Sequence, residues 1–315
     1  MRTSLLAHEN RGTKMRKLVI LTFNAGLLSI NMFGYPLIVP TDYIEERLQY
    51  IPAALIAMNA DVIALQEVYT KPHQDYLIAH LSEIYPHYVS KRNRSIGLPN
   101  GLMFFSKYPI VEWEYYQFDD AGPFDEKLIA NKGTLTITVS LDDLGNLTLY
   151  NVHPTSGGML NGQDDPDIET KRQNQIDEVL QLTKRTNKGM SVVLGDFNAG
   201  PQISNRNYES LFAHGFVDVY KRVCESRGEC EKITWDAQNP LNISGTHSTS
   251  PSQRIDHIYV QESVLDSLEI SDARIIFEEA IVPLPTETVE EGAEIPKVPL
   301  SDHYGLIVEL QRKLQ

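Results

Sequence analysis

The sequence lacks any excess of positive charge. Its 28 lysines and arginines stand against 42 aspartates and glutamates, which gives a formal net charge of −14 at pH 7. Such a protein repels phosphate backbones on average, so nucleic acid is disfavoured as a substrate. A local basic groove is still compatible with this negative net charge. An uninterrupted apolar run of about 18 residues is also missing, and no membrane-spanning helix is therefore expected.

Cysteine is scarce. The chain has Cys224 and Cys230, whose spacing allows either a disulfide that closes a small loop or two free thiols. No histidine or further cysteine lies near them in a zinc-binding pattern, so we expect no zinc site there. Repeats and low-complexity linkers are absent as well, and nothing in the composition divides the chain into separate domains.

The segment from Met15 to Phe23 places basic residues ahead of a short apolar run, as a signal peptide does. We interpret it as a buried strand instead, because the run is short and no small-residue cleavage pattern removes it before Asn24. The sequence leaves the compartment open between the cytoplasm and secretion without a recognisable signal peptide.

Short apolar, β-branched runs predict strands at residues 17–23, 61–66, 101–105, 134–140, 147–152, 191–194, 254–260 and 304–310. Helical spacing predicts helices near residues 42–55, 73–84 and 169–183. The first should have a capping box of Asp42 and Glu45 and a bend or interruption at Pro52. Strands joined by tight turns, together with strands that follow helices, indicate mixed sheets in a layered α/β sandwich. Residues 282–297 are predicted to form an acidic exposed loop.

Polar side chains follow several predicted strands at their carboxyl ends, and such ends converge on one rim of an α/β sheet. Carboxylate and amide oxygens suit magnesium, manganese or calcium, while imidazoles can move the proton of a water molecule. Each residue alone has an ordinary structural explanation, and the hydrolase prediction depends on their combination. The set is Asn24, Gln66, Glu67, His153, Asp196, Asn198, Asp256, Asp302 and His303.

Four short motifs occur in a fixed order. They are Leu65 to Val68, Gly195 to Asn198, Arg254 to Ile258 and Ser301 to His303. In order and spacing they resemble the endonuclease/exonuclease/phosphatase superfamily, also called the DNase I-like fold, over residues 17–312. The resemblance implies a four-layered α/β sandwich of two packed mixed β-sheets with helices on the outer faces. We accordingly predict a flexible extension at residues 1–14 and a single catalytic domain at residues 15–315.

The resemblance also implies a role for each polar residue. Glu67 resembles the principal metal-ligating carboxylate, with Asn24 beside it and Asp302 as a further contributor to the metal shell. Asp196 and Asn198 resemble the pair that orients the attacking water or the leaving group and binds the phosphate. The implied cofactor is a divalent metal, with magnesium preferred and manganese or calcium as alternatives.

Two histidines complete the implied catalytic set. His303 resembles the essential histidine that takes the proton of water, hydrogen-bonded to Asp256 so that its tautomer and orientation are fixed. His153 resembles the second histidine, which donates to the phosphate as negative charge builds in the transition state.

Further markers resemble the neutral sphingomyelinase-like branch of the superfamily. Asp125 and the pair Lys132 and Gly133 resemble its substrate-binding element. Asn198 and His153 are also expected to bind the substrate. The stretch from Thr234 to Asp236 resembles its approach to the third motif. The sequence departs from the branch after His153, at residues 154–158 and at Asp164, Asp165 and Asp167.

This branch implies a phospholipase C-type phosphodiesterase that hydrolyses sphingomyelin or a related choline lipid by in-line attack of an activated water. The expected partners are a phospholipid or small phosphoester substrate and a membrane surface contacted by apolar residues 30–39, for which core packing stays an alternative; a monomer is expected. A nuclease, or an inositol phosphate or nucleotide phosphatase, stays open because of a basic patch at Lys91, Arg92 and Arg94. A non-enzymatic binding protein is the remaining alternative.

Overall fold

The computed structural model describes residues 17–32, 35–90, 100–123, 131–157, 165–186, 189–243, 249–285 and 294–313. The predicted extension at residues 1–14, the basic patch at residues 91–94, Asp125 and Asp164 all lie outside these described residues.

The first sheet contains the strands that carry the earliest and the latest motifs. Its strands are β1 (Lys17–Asn24), β4 (Val62–Gln66), β5 (His87–Ser90), β6 (Met103–Ser106), β13 (Leu268–Ile276) and β16 (Gly305–Arg312). They lie side by side in the order β13, β16, β1, β4, β6, β5. Strand β1 is antiparallel to β16 and parallel to β4, so the sheet is mixed, as the sequence predicts.

The second sheet carries the middle motifs. Its strands are β7 (Ile110–Gln117), β8 (Gly133–Leu141), β9 (Gly145–Val152), β10 (Met190–Asp196), β11 (Phe216–Asp218) and β12 (Asp256–Gln261), in the order β11, β12, β10, β9, β8, β7. Strand β10 is parallel to β9 and antiparallel to β12. Two small ribbons accompany the sheets, one of β2 (Ile30–Met32) and β3 (Tyr35–Ile38), the other of β14 (Val282–Pro283) and β15 (Lys297–Val298).

The described helices pack on the outer faces of the sheets, except the two that begin at Val219 and Val264, which pack against the core between the sheets. The helices are α1 (Ile44–Met58), α2 (Lys71–Leu81), α3 (Pro166–Thr186), α4 (Asn205–Glu209), α5 (Val219–Arg227) and α6 (Val264–Ser267). Because side chains alternate along a strand, Leu18 and Ile20 of β1 join the core between the two sheets, whereas Leu21 and Phe23 pack with α1 and α2. Helix α3 packs on the outer face of β9 and β10. The four-layered sandwich is thereby confirmed.

The predicted capping box of the first helix and its predicted interruption are wrong. Helix α1 begins after Tyr43, whose backbone is left-handed and whose side chain provides no cap, and Glu45 binds Nε2 of His73 at 3.0 Å instead of completing a capping box. Pro52 does not end the helix, which continues to Met58.

Three further features bear on the sequence predictions. The predicted acidic loop begins and ends in the β14–β15 ribbon, and its residues 286–293 lie outside the described part of the chain. Cys224 and Cys230 form a disulfide. Among the described residues, no helix combines the length and the apolar character needed to cross a membrane.

Candidate functional site

Polar side chains from both sheets meet at one edge of the sandwich. Asn24 ends β1, Glu67 follows β4, and Asp196 ends β10. Asn24 Nδ2 donates to Asp196 Oδ2 at 2.9 Å and to Glu67 Oε1 at 3.2 Å. A side chain of the first sheet therefore links the carboxylates of the first and second motifs, as expected for strand ends that share one rim.

Two residues of this edge have left-handed backbones. The φ angle is 60° at Glu67 and 50° at Asn198. A non-glycine residue in this region costs about 1 kcal/mol, and such strain persists where the surrounding structure fixes it. Asp196 Oδ1 accepts the backbone N–H of Asn198 at 2.8 Å, which stabilises the turn after β10.

A histidine–aspartate pair joins the two sheets. His303, just before β16, donates from Nδ1 to Oδ2 of Asp256 at 2.9 Å, and its Nε2 lies 3.8 Å from Asp196 Oδ2. Thr234 Oγ1 accepts the backbone N–H of Asp256 at 3.0 Å, and Ser301 Oγ accepts that of His303 at 3.2 Å. Both members of the pair are therefore held from behind, and Nε2 faces the shared edge.

The charges around His303 favour its protonated form. Burial by itself would lower the pKa of His303, but the carboxylates of Asp256, Asp196 and Asp302 outweigh it and raise the pKa well above its usual range. An imidazolium that forms here after proton transfer is thus stabilised.

His153 has the opposite electrostatic environment. Its Nε2 lies 3.6 Å from Asp196 Oδ2 and 3.8 Å from Glu67 Oε1. Burial, followed by the positive charges of Lys132 and His303, lowers the pKa of His153 well below its ordinary value. The pKa values of the two histidines are therefore shifted in opposite directions although the rings share one carboxylate neighbour.

The loop after His153, where the sequence departs from the branch pattern, is held by hydrogen bonds to side chains of the site and of α3. The carbonyl of Pro154 accepts from Lys132 Nζ at 3.3 Å and from Asn198 Nδ2 at 3.1 Å. The backbone N–H of Thr155 donates to Gln175 Oε1 of α3 at 2.7 Å. Lys132 is buried, so solvent screens its charge only weakly from the other groups of the site.

The carboxylates fit a divalent cation. Burial, and next the neighbouring Asp302, raise the pKa of Glu67 to about 7. Burial also raises the pKa of Asp196, with Asp256 acting in the same direction. Carboxylates that are buried together in this way lose much of their repulsion when a cation lies between them.

Two groups of possible ligands share Asp196. One ligand atom each of Glu67, His153 and Asp196 lie within 4.8 Å of one another, and the same holds for Asp196, Asp256 and His303. Neither group contains Asp302, whose Oδ1 accepts from Ser301 Oγ at 3.0 Å. Asn24 Oδ1 accepts the N–H of Gly26 at 3.1 Å, so its amide nitrogen faces the carboxylates. The metal-binding assignment of Asn24, Glu67 and Asp302 stays a prediction.

Asn151 supports the site but is not identified by the sequence analysis. Its Oδ1 accepts from Gln66 Nε2 at 2.7 Å, and its Nδ2 donates to the carbonyls of Leu65 at 2.9 Å and Met103 at 3.1 Å. This bond set joins β9 of the second sheet to β4 and β6 of the first. An asparagine within an apolar strand is the signal that could have indicated it.

A buried network lies behind Asp256. Arg254 donates to Asp218 Oδ2 at 2.8 Å and to His257 Nδ1 at 2.7 Å, and His257 Nε2 donates to the carbonyl of Ala199 at 2.8 Å. A Cβ atom on Gly200 would lie 1.9 Å from the carbonyl oxygen of Arg254, so the turn after β10 touches the third motif directly.

The charges in this network are balanced locally. Burial would raise the pKa of Asp218, but Arg254 and His257 outweigh it and hold the pKa below its usual range. Burial, followed by the charge of Arg254, lowers the pKa of His257. The network thus contains one ion pair and one neutral histidine.

Comparison with known proteins places this site in context. The profile of the endonuclease/exonuclease/phosphatase family matches residues 21–303. Sphingomyelinase C of Bacillus cereus is 25% identical over 258 residues, which cover 76% of this chain and 74% of that protein.

Two solved structures are similar over nearly the whole chain. Sphingomyelinase C from Streptomyces griseocarneus has a TM-score of 0.72 at 20% identity and covers 94% of this chain and 99% of its own. A double mutant of beta toxin from Staphylococcus aureus with bound magnesium ions has a TM-score of 0.71 at 19% identity, over 94% of this chain and all of its own. At these identities the likeness shows the fold.

Proposed function

Because the chain belongs to the endonuclease/exonuclease/phosphatase family, we propose that it hydrolyses the phosphodiester of a choline phospholipid, with sphingomyelin as the first candidate. At the level of reaction class the chain is a phosphoric ester hydrolase. The observation that carries the proposal is the pair of His303 and Asp256, joined at 2.9 Å, with Nε2 of His303 facing the edge that holds Asp196. The sphingomyelinase relatives supply the substrate class.

A divalent cation, magnesium first, is proposed to bind at Glu67 with Asp302 and Asn24 close by. The raised pKa of Glu67, about 7, reflects burial next to a second carboxylate and fits a residue that meets a cation. When bound, the cation would neutralise the charge of a phosphate oxygen and so favour attack at phosphorus. Magnesium is bound in the similar beta toxin structure, which supports this choice.

His303 is proposed as the general base. Its Nδ1–H bond to Asp256 leaves Nε2 as the atom that would accept the proton from the attacking water, once a bound cation offsets the carboxylates that otherwise favour a protonated imidazole. The water oxygen then forms a bond to phosphorus, while the bond from phosphorus to the lipid oxygen breaks. Asp256 and Asp196 stabilise the resulting imidazolium, and the proton later returns to solvent or to the lipid alkoxide.

The phosphate is proposed to bind on the other side of the edge. Lys132, Asn198 and His153 lie around the loop at Pro154, and each carries a hydrogen that can be donated to a phosphate oxygen. A neutral His153 can donate without adding a second imidazolium next to His303. Asp125, the remaining proposed substrate-binding residue, lies outside the described residues.

The test is release of phosphocholine from sphingomyelin and phosphatidylcholine vesicles with magnesium, manganese or calcium. Supercoiled DNA and inositol phosphates are the parallel substrates, Glu67→Ala is the inactivating variant, and Glu83→Ala on the surface is the matched control. We expect metal-dependent phosphocholine release that Glu67→Ala abolishes and Glu83→Ala preserves. Metal-dependent cleavage of DNA or an inositol phosphate, without lipid cleavage, would reassign the substrate.

A further inference from the structure

The most deeply buried charge on the first-sheet side of the site belongs to Arg47 of α1. Its side chain is fully buried and directs hydrogen bonds to five oxygen atoms. The acceptors are the carbonyls of Asp42 at 3.0 Å, Ala25 at 3.1 Å, Leu300 at 3.0 Å and Gly26 at 2.7 Å, and Thr41 Oγ1 at 2.8 Å. All five hydrogens of the guanidinium group are therefore matched.

Three of these acceptors belong to the two loops that carry the first-sheet site residues, and the other two, at Thr41 and Asp42, lie just before α1. Ala25 and Gly26 directly follow Asn24, and Leu300 directly precedes the motif from Ser301 to His303. The two loops also touch each other, because a Cβ atom on Gly26 would lie 2.2 Å from Asp302 Oδ1. A shift of the Arg47 fork would thus be passed to Asn24 and to the last motif.

No carboxylate comes within ion-pair distance of Arg47 among the residues that the structure describes. Burial lowers the pKa of Arg47, and among the acidic groups that counteract it Asp302 and Glu67 act most strongly. Asp42 and Glu46 act in the same direction but more weakly, so the site carboxylates contribute most to the negative charge around this arginine.

We propose that Arg47 is a positioning residue of the hydrolytic site, which locks the loop after Asn24 to the loop before Asp302 so that Glu67, Asn24 and Asp302 converge before a cation arrives. The proposal rests on the metal site of the proposed function. Residues that orient ligands from behind commonly change metal affinity or activity by about 10- to 100-fold when they are replaced.

Two variants separate geometry from charge. Arg47→Lys keeps the charge but offers three hydrogens without a planar fork, and Arg47→Met keeps the length without either. The matched control is Leu55→Ala, which removes a fully buried side chain about two turns further along the same helix but no hydrogen-bond donor to either loop.

The first readout is the dissociation constant for magnesium, measured by calorimetry with magnesium chloride on the intact chain without substrate. We expect it to rise at least ~10-fold for both Arg47 variants and to stay within about 2-fold of wild type for Leu55→Ala. The second readout is kcat and KM at saturating magnesium, below the melting temperature of each variant. We expect kcat to fall and KM to stay nearly constant for the Arg47 variants.

A purely structural role would lower the melting temperature of the Arg47 variants and of Leu55→Ala alike, with unchanged magnesium affinity and kcat, and that result would overturn the proposal. If Arg47→Met does not fold, Arg47→Lys decides, and wild-type magnesium affinity in that variant counts against the proposal. Magnesium binding is independent of lipid cleavage. A wild-type protein that binds magnesium but spares sphingomyelin therefore loses only the substrate assignment, whereas one that does not bind magnesium loses this inference.

Discussion

Arg47 and Arg254 are buried on opposite sides of the same site, but their charges are met in different ways. Arg254 lies 2.8 Å from a carboxylate oxygen of Asp218, in a network closed by His257. Arg47 donates to neutral oxygens, and the acidic groups that act most strongly on it are Asp302 and Glu67 of the site.

The difference shows that one fold can compensate one buried arginine independently of the site and another through the carboxylates of the site. A buried charge is costly unless it is compensated, and at Arg254 the compensation is local and permanent. At Arg47 the strongest compensation comes from Asp302 and Glu67, which are also the proposed ligands of the cation. Stability and chemistry are therefore separable on the second-sheet side and coupled on the first-sheet side.

The largest expected effect lies where the two sides meet, at His303. His303→Ala should lower kcat by about 10³-fold, measured below the melting temperature of the variant, because it removes the proposed proton acceptor. The measurement is steady-state phosphocholine release from sphingomyelin vesicles, with the exposed His214→Ala as control. Near-normal turnover in His303→Ala would show that another group takes the proton.

The next effect separates stability from chemistry on the second-sheet side. Asp218→Asn should lower the free energy of unfolding by about 3 to 5 kcal/mol, because Arg254 is left as a buried charge without its carboxylate. Urea denaturation measures this loss, and a double-mutant cycle with Arg254→Met isolates the pair. A loss below about 1 kcal/mol would mean that other groups compensate Arg254 and that the two arginines do not differ as described.

The sequence predicted well what depends on local patterns. Apolar runs located β1, β4, β6, β8, β9, β10, β12 and β16, and the polar residues that flank several of them do meet at one edge. The edge strand β7 was missed, because most of its side chains are exposed and it has no continuous apolar run.

Contacts between distant segments could not be read from the sequence. Arg47 and Leu300 are 253 residues apart, and nothing around Arg47 distinguishes it from a solvated helix charge. The same limit hid Asn151 and the link from Arg254 to Asp218. The predicted capping box failed because Glu45 has a long-range partner, His73, that competes with a local cap.

The disulfide provides a smaller effect on the second-sheet side. It closes the end of α5, the helix whose first turn is capped by Asp218. Replacing both Cys224 and Cys230 with serine should lower the free energy of unfolding by about 2 kcal/mol, the value expected for so short a loop. Urea denaturation of the variant, and of the wild type with and without reductant, measures it. Magnesium affinity should not change, and a weakened affinity would contradict the separation of the two sides.

The smallest effect is a pH dependence of stability that comes from His257. Its pKa is lowered in the folded protein by burial and by Arg254, whereas the unfolded chain takes up a proton below a pH of about 6.5. The free energy of unfolding should therefore decrease as the pH falls from 6.5 to 5.5, by at most about 1.4 kcal/mol from this residue. Urea denaturation of wild type and His257→Gln should give a shallower decrease for the variant. Parallel decreases would assign the pH dependence elsewhere.

The left-handed backbones of Glu67 and Asn198 lower the stability of the fold at two positions that the proposed reaction uses. Glycine adopts such φ angles without steric cost, so Glu67→Gly and Asn198→Gly would relieve local strain while deleting groups that the site needs. The same replacements would also remove the bond from Asn24 to Glu67 and the bond from Asn198 to Pro154. On the proposed function, the backbone strain at the two positions is the local cost of placing a carboxylate and an amide at the rim of the site.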